Sequence, residues 1–172
     1  QKESESISGN MRWSCQRRME AGTFLPSSMA YGYKLVGRKI EIDADAALVV
    51  CRIFQWYLNG VNRIAIAKKL NEEGISSGQR KKWHSASVRY ILTNEKYCGD
   101  ALLQKTFVKD CISKKSIPNT GQLAKVLIQN NHEAIVSHEI FDAVQLELAR
   151  RRAQDGRSRK SAPTVSYTHL TL

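Results

Sequence analysis

Between Asp43 and Asn94 the sequence alternates three short runs of helical apolar periodicity with residues that stop helices. Asp43 is suited to cap the first run and Asp45 complements its dipole, while Val49/Val50, Ile53/Phe54 and Tyr57/Leu58 mark one apolar face. Asn59-Gly60 ends it. A second helix is expected from about Asn62 to Glu73, with Ile64, Ala67 and Leu70 inward and Gly74 at its stop. A loop containing Gly78 and the cations Arg80-Lys81-Lys82 leads to Trp83. A short third helix is expected from a Ser85 cap to near Asn94, with Val88, Ile91 and Leu92 inward. Three helices, the last two joined by a turn, follow the helix-turn-helix plan.

Both flanks are less regular. Ile7, Met11, Cys15 and Met19 recur every four residues, so residues 1–21 read as the end of a helix with Gly22 as its stop. Residues 22–37 are rich in turn formers and include Tyr31-Gly32-Tyr33; Arg38–Ile42 reads as a short strand. Residues 101–108 and 123–129 read as two strands of a β-hairpin around a basic loop with Lys114 and Lys115. A last helix is expected from a Ser137 cap, with Ile140, Phe141, Val144 and Leu148 along one side, ending at Arg150-Arg151-Arg152. Residues 153–164 read as a polar linker, and Val165–Leu172 as read-through of a cloning adapter. The expected class is α+β and mainly helical. A long helix precedes a winged-helix-like helix-turn-helix domain, which a β-hairpin and a C-terminal helix follow. The boundaries are 1–24 for the leading helix, 25–152 for the domain and 153–172 for the tail.

Charge narrows the partner. Lys and Arg number 27 against 16 Asp and Glu, a formal net charge of +11. Such an excess favours a polyanion, because each neutralised phosphate releases condensed counterions. The excess is concentrated: residues 77–115 carry nine Lys or Arg against Glu95, Asp100 and Asp110. On the third helix His84, Ser85, Ser87, Arg89 and Tyr90 are left outward once Val88, Ile91 and Leu92 face the core. A recognition helix needs such donors and acceptors near its N-terminus to reach base edges. Around it, Arg80, Lys81, Lys82, Lys105, Lys109, Lys114 and Lys115 are available for phosphates.

Other functions find little support. Cys15, Cys51, Cys98 and Cys111 form no CxxC pair, and His84, His132, His138 and His169 add no zinc-ligand spacing. No paired carboxylate motif or Gly-rich phosphate loop is present, so neither a self-sufficient enzyme nor a small-molecule substrate is expected. No apolar run approaches the roughly 20 residues that span a bilayer. A cytoplasmic, nucleoid-associated setting with reduced cysteines is therefore expected. An opening Gln1 rather than Met suggests a fragment.

Five stretches in order resemble the large serine recombinases, the phage integrases and transposon-borne site-specific recombinases. Residues 1–13 (QKESESISGNMRW) resemble the end of that family's long connecting helix, and Tyr31-Gly32-Tyr33 the opening of its recombinase domain. Residues 64–75 (IAIAKKLNEEGI) resemble its helix-turn-helix entry. Residues 83–99 (WHSASVRYILTNEKYCG) are the most specific match, and residues 132–137 (HEAIVS) with Phe141 resemble the segment before its zinc ribbon.

The resemblance implies a role. A separate N-terminal domain of the family carries a serine that attacks DNA phosphate. That domain and the zinc ribbon are expected to lie outside this chain, so no cofactor is expected in it; Ser4, Ser6 and Ser8 belong to the connecting helix. The implied partner is the duplex DNA half-site of an attachment site, with the full-length parent a dimer or tetramer on DNA, from a bacterium or phage. Arg12, Arg17 and Arg18 are expected near the DNA backbone, the third helix in the major groove, and the chain from Arg151 and Arg152 onward along the minor groove. Trp13 reads as a helix-packing residue. The rival reading is a helix-turn-helix transcriptional regulator, which predicts a stable dimer on a palindromic operator. An RNA or acidic-protein module fits less well, since Phe54, Trp56, Tyr57 and Phe141 fall within core-like helices rather than on a stacking surface.

Overall fold

The Asp43 carboxylate accepts the Ala46 N–H at 3.4 Å and opens helix α1 (Ala44–Leu58), which buries Ala47, Val49, Val50, Ile53, Phe54 and Tyr57 along one side. In the computed structural model, the described residues are 29–78, 82–108 and 116–160, with Asn10, Trp13, Ser14, Arg17 and Arg18. The Asn62 side chain accepts the Ala65 N–H at 2.8 Å and starts α2 (Arg63–Glu72). This helix buries Ile66, Ala67 and Leu70; Ile64, expected inward, is 73% exposed and Ile66 takes its place. Helix α3 (Ser85–Leu92) buries Val88, Ile91 and Leu92 as expected, but its cap is His84 rather than Ser85, and His84 makes no side-chain capping bond. A 3₁₀ turn (Glu95–Cys98) follows, capped by the buried Asn94.

Helix α4 (His138–Lys160) begins where Ser137 Oγ accepts the Ile140 N–H at 3.4 Å. It runs to Lys160, eight residues beyond its expected end at Arg152, because neither glycine nor proline intervenes before Gly156 and the arginines are good helix formers. Phe141 and the fully buried Val144 turn inward, while Ile140 lies outside at 40% exposure. α4 packs against α1, α3 and the 3₁₀ turn. The Phe54 ring stands 6.2 Å from Tyr97 and 6.4 Å from Phe141, so one aromatic cluster joins the first helix, the turn and the last helix.

Three two-stranded ladders complete the fold. Strand β1 (Tyr33–Val36) pairs antiparallel with β2 (Lys39–Ile42), Tyr33 opposite Ile42. The turn-forming residues of 22–37 predict only the second of these, and β1 forms within that stretch because it pairs with β2. Gly32 anchors the pair at φ +93°; a Cβ there would meet Ile135 Cδ1 at 2.9 Å and Val50 Cγ2 at 3.2 Å. Only glycine lets this corner close onto α1.

The expected hairpin after α3 exists in two offset pieces. β3 (Ala101–Leu103) pairs with β6 (Val126–Ile128), and β4 (Thr106–Val108) with β5 (Ser116–Pro118). The single strand expected over 101–108 breaks at Gln104, which takes φ +59°. Asn119 occupies the break: its NH₂ donates to the Gln104 and Leu123 carbonyls, both at 2.8 Å, and its Oδ1 accepts from Gly121 and Leu123 N–H. The ten largest fully buried side chains all belong to the helices and the 3₁₀ turn. At about 1.5–3 kcal/mol per buried large apolar side chain, the helical layer holds the fold and the hairpin is an appendage to it. Among the described residues no helix is long and apolar enough to cross a membrane.

Candidate nucleic-acid interface

The placement of α3 is set by the turn before it. Trp83 is 3% exposed, and its indole Nε1–H donates to the Ile75 carbonyl at 3.0 Å. Asn71 brackets its backbone, accepting the Trp83 N–H at 2.8 Å and donating to the Trp83 carbonyl at 2.9 Å. Tyr31 meets the indole edge-on at 5.1 Å. A residue of α2, the loop after it and the N-terminal corner thus fix one indole, and the indole fixes where α3 starts.

With its underside committed to the core, α3 presents His84, Ser85, Ala86, Arg89 and Tyr90 outward, with Ser87 partly covered. Tyr90 is 60% exposed, high for an aromatic ring with nothing to cover it. Depressions adjoin both ends of this face. One, beside the N-terminal end, is lined by Ile64, Lys68, Asn71, Lys82, His84 and Ser85, and also by Glu72, which pairs with Lys68 at 3.6 Å and leaves Lys82 as the unpaired cation there among the described residues. The other, beside Arg89 and Thr93, is lined by Arg63, Arg151 and Arg152 as well, with no acidic residue among the described residues that line it. The expected set His84, Ser85, Ser87, Arg89 and Lys82 is thus gathered around one helix.

Other expected contacts have different surroundings. Arg151 donates to the Tyr57 carbonyl at 3.1 Å and the Val61 carbonyl at 3.4 Å, stacks 4.3 Å from the Tyr57 ring centre, and pairs with Glu147 at 2.6 Å. It ties α4 to the end of α1. Hydrogen bonds from Arg150 and Arg151 hold the Glu147 carboxyl down to about 2. Arg152, one residue on, is exposed. Lys105 pairs with Glu95 at 2.6 Å, and the other oxygen of Glu95 accepts the Leu102 N–H at 3.1 Å. Arg17 and Arg18 are exposed on the N-terminal helical segment, where Arg17 lies 4.8 Å over the Trp13 ring and Arg18 Nε donates to the Ser14 carbonyl at 3.3 Å. Trp13, read as a packing residue, is itself 61% exposed. Arg12, Arg80, Lys81, Lys109, Lys114 and Lys115 lie outside the described residues.

Arg63 and Lys68 were missed because the charge count was centred on residues 77–115. A cation at the first position of a helix capped by Asn62 was the available signal.

One group of metal-ligand atoms comes together that sequence spacing does not reveal. His138 Nε2 and Cys98 Sγ lie 3.1 and 3.9 Å from Asp100 Oδ2. Its atoms also bond locally: Asp100 Oδ1 accepts the Asn130 N–H at 3.1 Å, and the Cys98 thiol, whose pKa burial pushes up, donates to the Glu95 carbonyl. The three residues tie the 3₁₀ turn to the start of α4.

Comparison with known proteins places this geometry. The family described as Recombinase matches residues 44–151, well over half of the chain. A protein described as a DNA recombinase in Bacillus subtilis (strain 168) is 32% identical over 94 residues, covering 49% of this chain and 18% of that protein. Among solved structures, a large serine recombinase–DNA complex superposes with a TM-score of 0.59 at 21% identity, over 83% of this chain and 38% of that one. A structure from work on the sequence requirements of the Listeria innocua prophage attP site gives a TM-score of 0.63 at 22% identity, over 90% and 57%. The chain spans less than two thirds of each of these relatives. From the family match over residues 44–151, the chain belongs to the Recombinase family.

Proposed function

We propose that this chain binds duplex DNA as the recombinase-domain part of a large serine site-specific recombinase, reading one half-site for integration or excision. The observation that carries the reading is α3: a helix with three apolar residues locked under it, an outward face of His84, Ser85, Ser87, Arg89 and Tyr90, and cationic depressions adjoining both ends. His84 and Ser85 stand at the helix N-terminus, where side chains of a recognition helix approach base edges in the major groove. The β3–β6 and β4–β5 hairpin serves as the wing of a winged-helix-like arrangement. Arg17 and Arg18, on the helical segment before the domain, contact the backbone nearer the crossover point. The cleavage step belongs to the family's serine-bearing domain; these residues supply address and grip. The parent protein acts as a dimer or tetramer on DNA.

Selection of bound duplexes from a random pool at physiological salt tests this. An enriched, asymmetric motif is expected. A palindromic motif with a stable dimer of the chain favours a transcriptional regulator instead, and absence of binding by a folded sample overturns the reading.

A further inference from the structure

Resting on the DNA reading above, we infer that the cleft where α2, α3 and α4 meet is a seat for one phosphate, or two adjacent phosphates, of the DNA backbone, and that Arg89 is a phosphate contact rather than a base reader. Arg63 enters from the first position of α2, Arg89 from the outer face of α3, and Arg152 from the far side on α4. Three helices each contribute one arginine to a depression of about 700 Å³ that no carboxylate lines among the described residues.

The fourth arginine of the cleft explains how the others stay available. Arg151 is held by the Tyr57 and Val61 carbonyls and by Glu147. Glu147 is in turn taken by Arg150 and Arg151. The one acid on this stretch of α4 is therefore spent away from the cleft, and no hydrogen bond or ion pair engages the side chains of Arg63, Arg89 or Arg152 among the described residues. Like charges on neighbouring helices repel, and with no counter-charge among the described residues lining it the site favours neutralisation from outside. Asn62 adds a donor: its oxygen is used by the Ala65 N–H, and its NH₂ remains.

The ligand chemistry follows from the donors. Guanidinium forks match phosphate oxygens in bidentate geometry, and a seat with no acceptor charge discriminates by charge rather than by base. Its position selects a polymer. Arg89 belongs both to the cleft and to the exposed face of α3, so a strand lying along that face brings its backbone to the cleft. In this arrangement α3 divides its labour along its length. The N-terminal end, with His84 and Ser85, reads base edges, while the C-terminal end fixes the register by gripping the backbone.

The test pairs arginine removal with phosphate neutralisation. Arg63→Gln, Arg89→Gln and Arg152→Gln are measured in the full 172-residue chain on the selected duplex, and on duplexes carrying a single methylphosphonate at each position in turn. Thermal unfolding of each variant checks the fold. Each variant is expected to bind about tenfold more weakly with unchanged sequence preference, and the slope of log affinity against log salt should fall by about one. Neutralising the seated phosphate should weaken the unaltered chain similarly but cost each variant little more, at the same one or two adjacent positions for all three. Arg89→Lys should recover part of the loss. Relaxed preference at one base pair in Arg89→Gln, or coupling of the three arginines to scattered phosphates, overturns the seat while leaving the DNA reading intact. Absence of duplex binding by the unaltered chain overturns the DNA reading, and the seat with it.

Discussion

Helix α3 and the β-hairpin after it are neighbours in sequence and both are expected to meet DNA, yet they are held by different forces. Beneath α3, Val88 and Leu92 are fully buried and Ile91 nearly so, and the helix enters from Trp83, which is fixed by one indole and two backbone hydrogen bonds. The hairpin has two ladders of three residues per strand, and between Ala101 and Ile128 its buried residues, among those described, are Ala101 and Asn119. One region is positioned by apolar packing shared with the whole domain, the other by backbone pairing around a single amide. A change under α3 therefore propagates through the domain, whereas a change in the hairpin stays local.

The sharpest way to break this contrast is Trp83→Ala. Loss of a buried indole with its hydrogen bonds is expected to destabilise the domain by about 3–5 kcal/mol, read as a shift in the denaturant midpoint. A loss below about 1 kcal/mol would show that α3 is held by something other than the turn. Asn119→Ala comes next, leaving the Gln104 and Leu123 carbonyls and two N–H groups without their partner. About 1–3 kcal/mol of local stability should disappear. Hydrogen exchange should lose protection over 101–128 while α1–α4 keep theirs; global unfolding instead would make the hairpin part of the core.

The smallest effect tests the joint between the two regions. His132 Nε2 donates to the Lys96 carbonyl at 2.7 Å, Tyr33 meets its ring edge-on at 4.9 Å, and its Nδ1 is buried without a partner. Burial lowers the His132 pKa below its ordinary 6.5. Above that value the ring is neutral whether the chain is folded or unfolded, and it adds no pH dependence. As pH falls through 6.5 the unfolded chain takes up the proton first, so stability declines until the folded value is passed. The melting temperature is expected to fall between pH 7.5 and 5.5, and His132→Gln to flatten that slope; an unchanged slope would remove His132 from the joint.

What was legible in the sequence divides along the same line. The caps Asp43 and Ser137, the start of α2 near Asn62, the apolar side of α3 and that of α1 follow from local rules, and the structure places them there apart from Leu58, which is 40% exposed. Ile64 points outward because it and Ile66 lie about 200° apart around α2, and only the neighbours of the helix decide which of the two is buried. The break at Gln104 depends on Asn119, fifteen residues away, and has no local signature. The outward set on α3 was readable since it is the complement of the apolar side. The cleft was not: Arg63, Arg89 and Arg152 meet only after three helices pack, and nothing in the sequence separates Arg152 from Arg151, which is spent on Tyr57 and Val61.

The length of α4 bears on how the next stretch of chain is delivered. Had the helix stopped at Arg152, eight flexible residues would let their far end wander over about 16 Å in any direction. As helix, the same eight residues advance about 12 Å along one axis. Anything attached beyond Lys160 thus leaves the domain from a boom with a set heading rather than from a leash, and one residue more or less in α4 would turn the exit point about 100° around that axis without altering the heading.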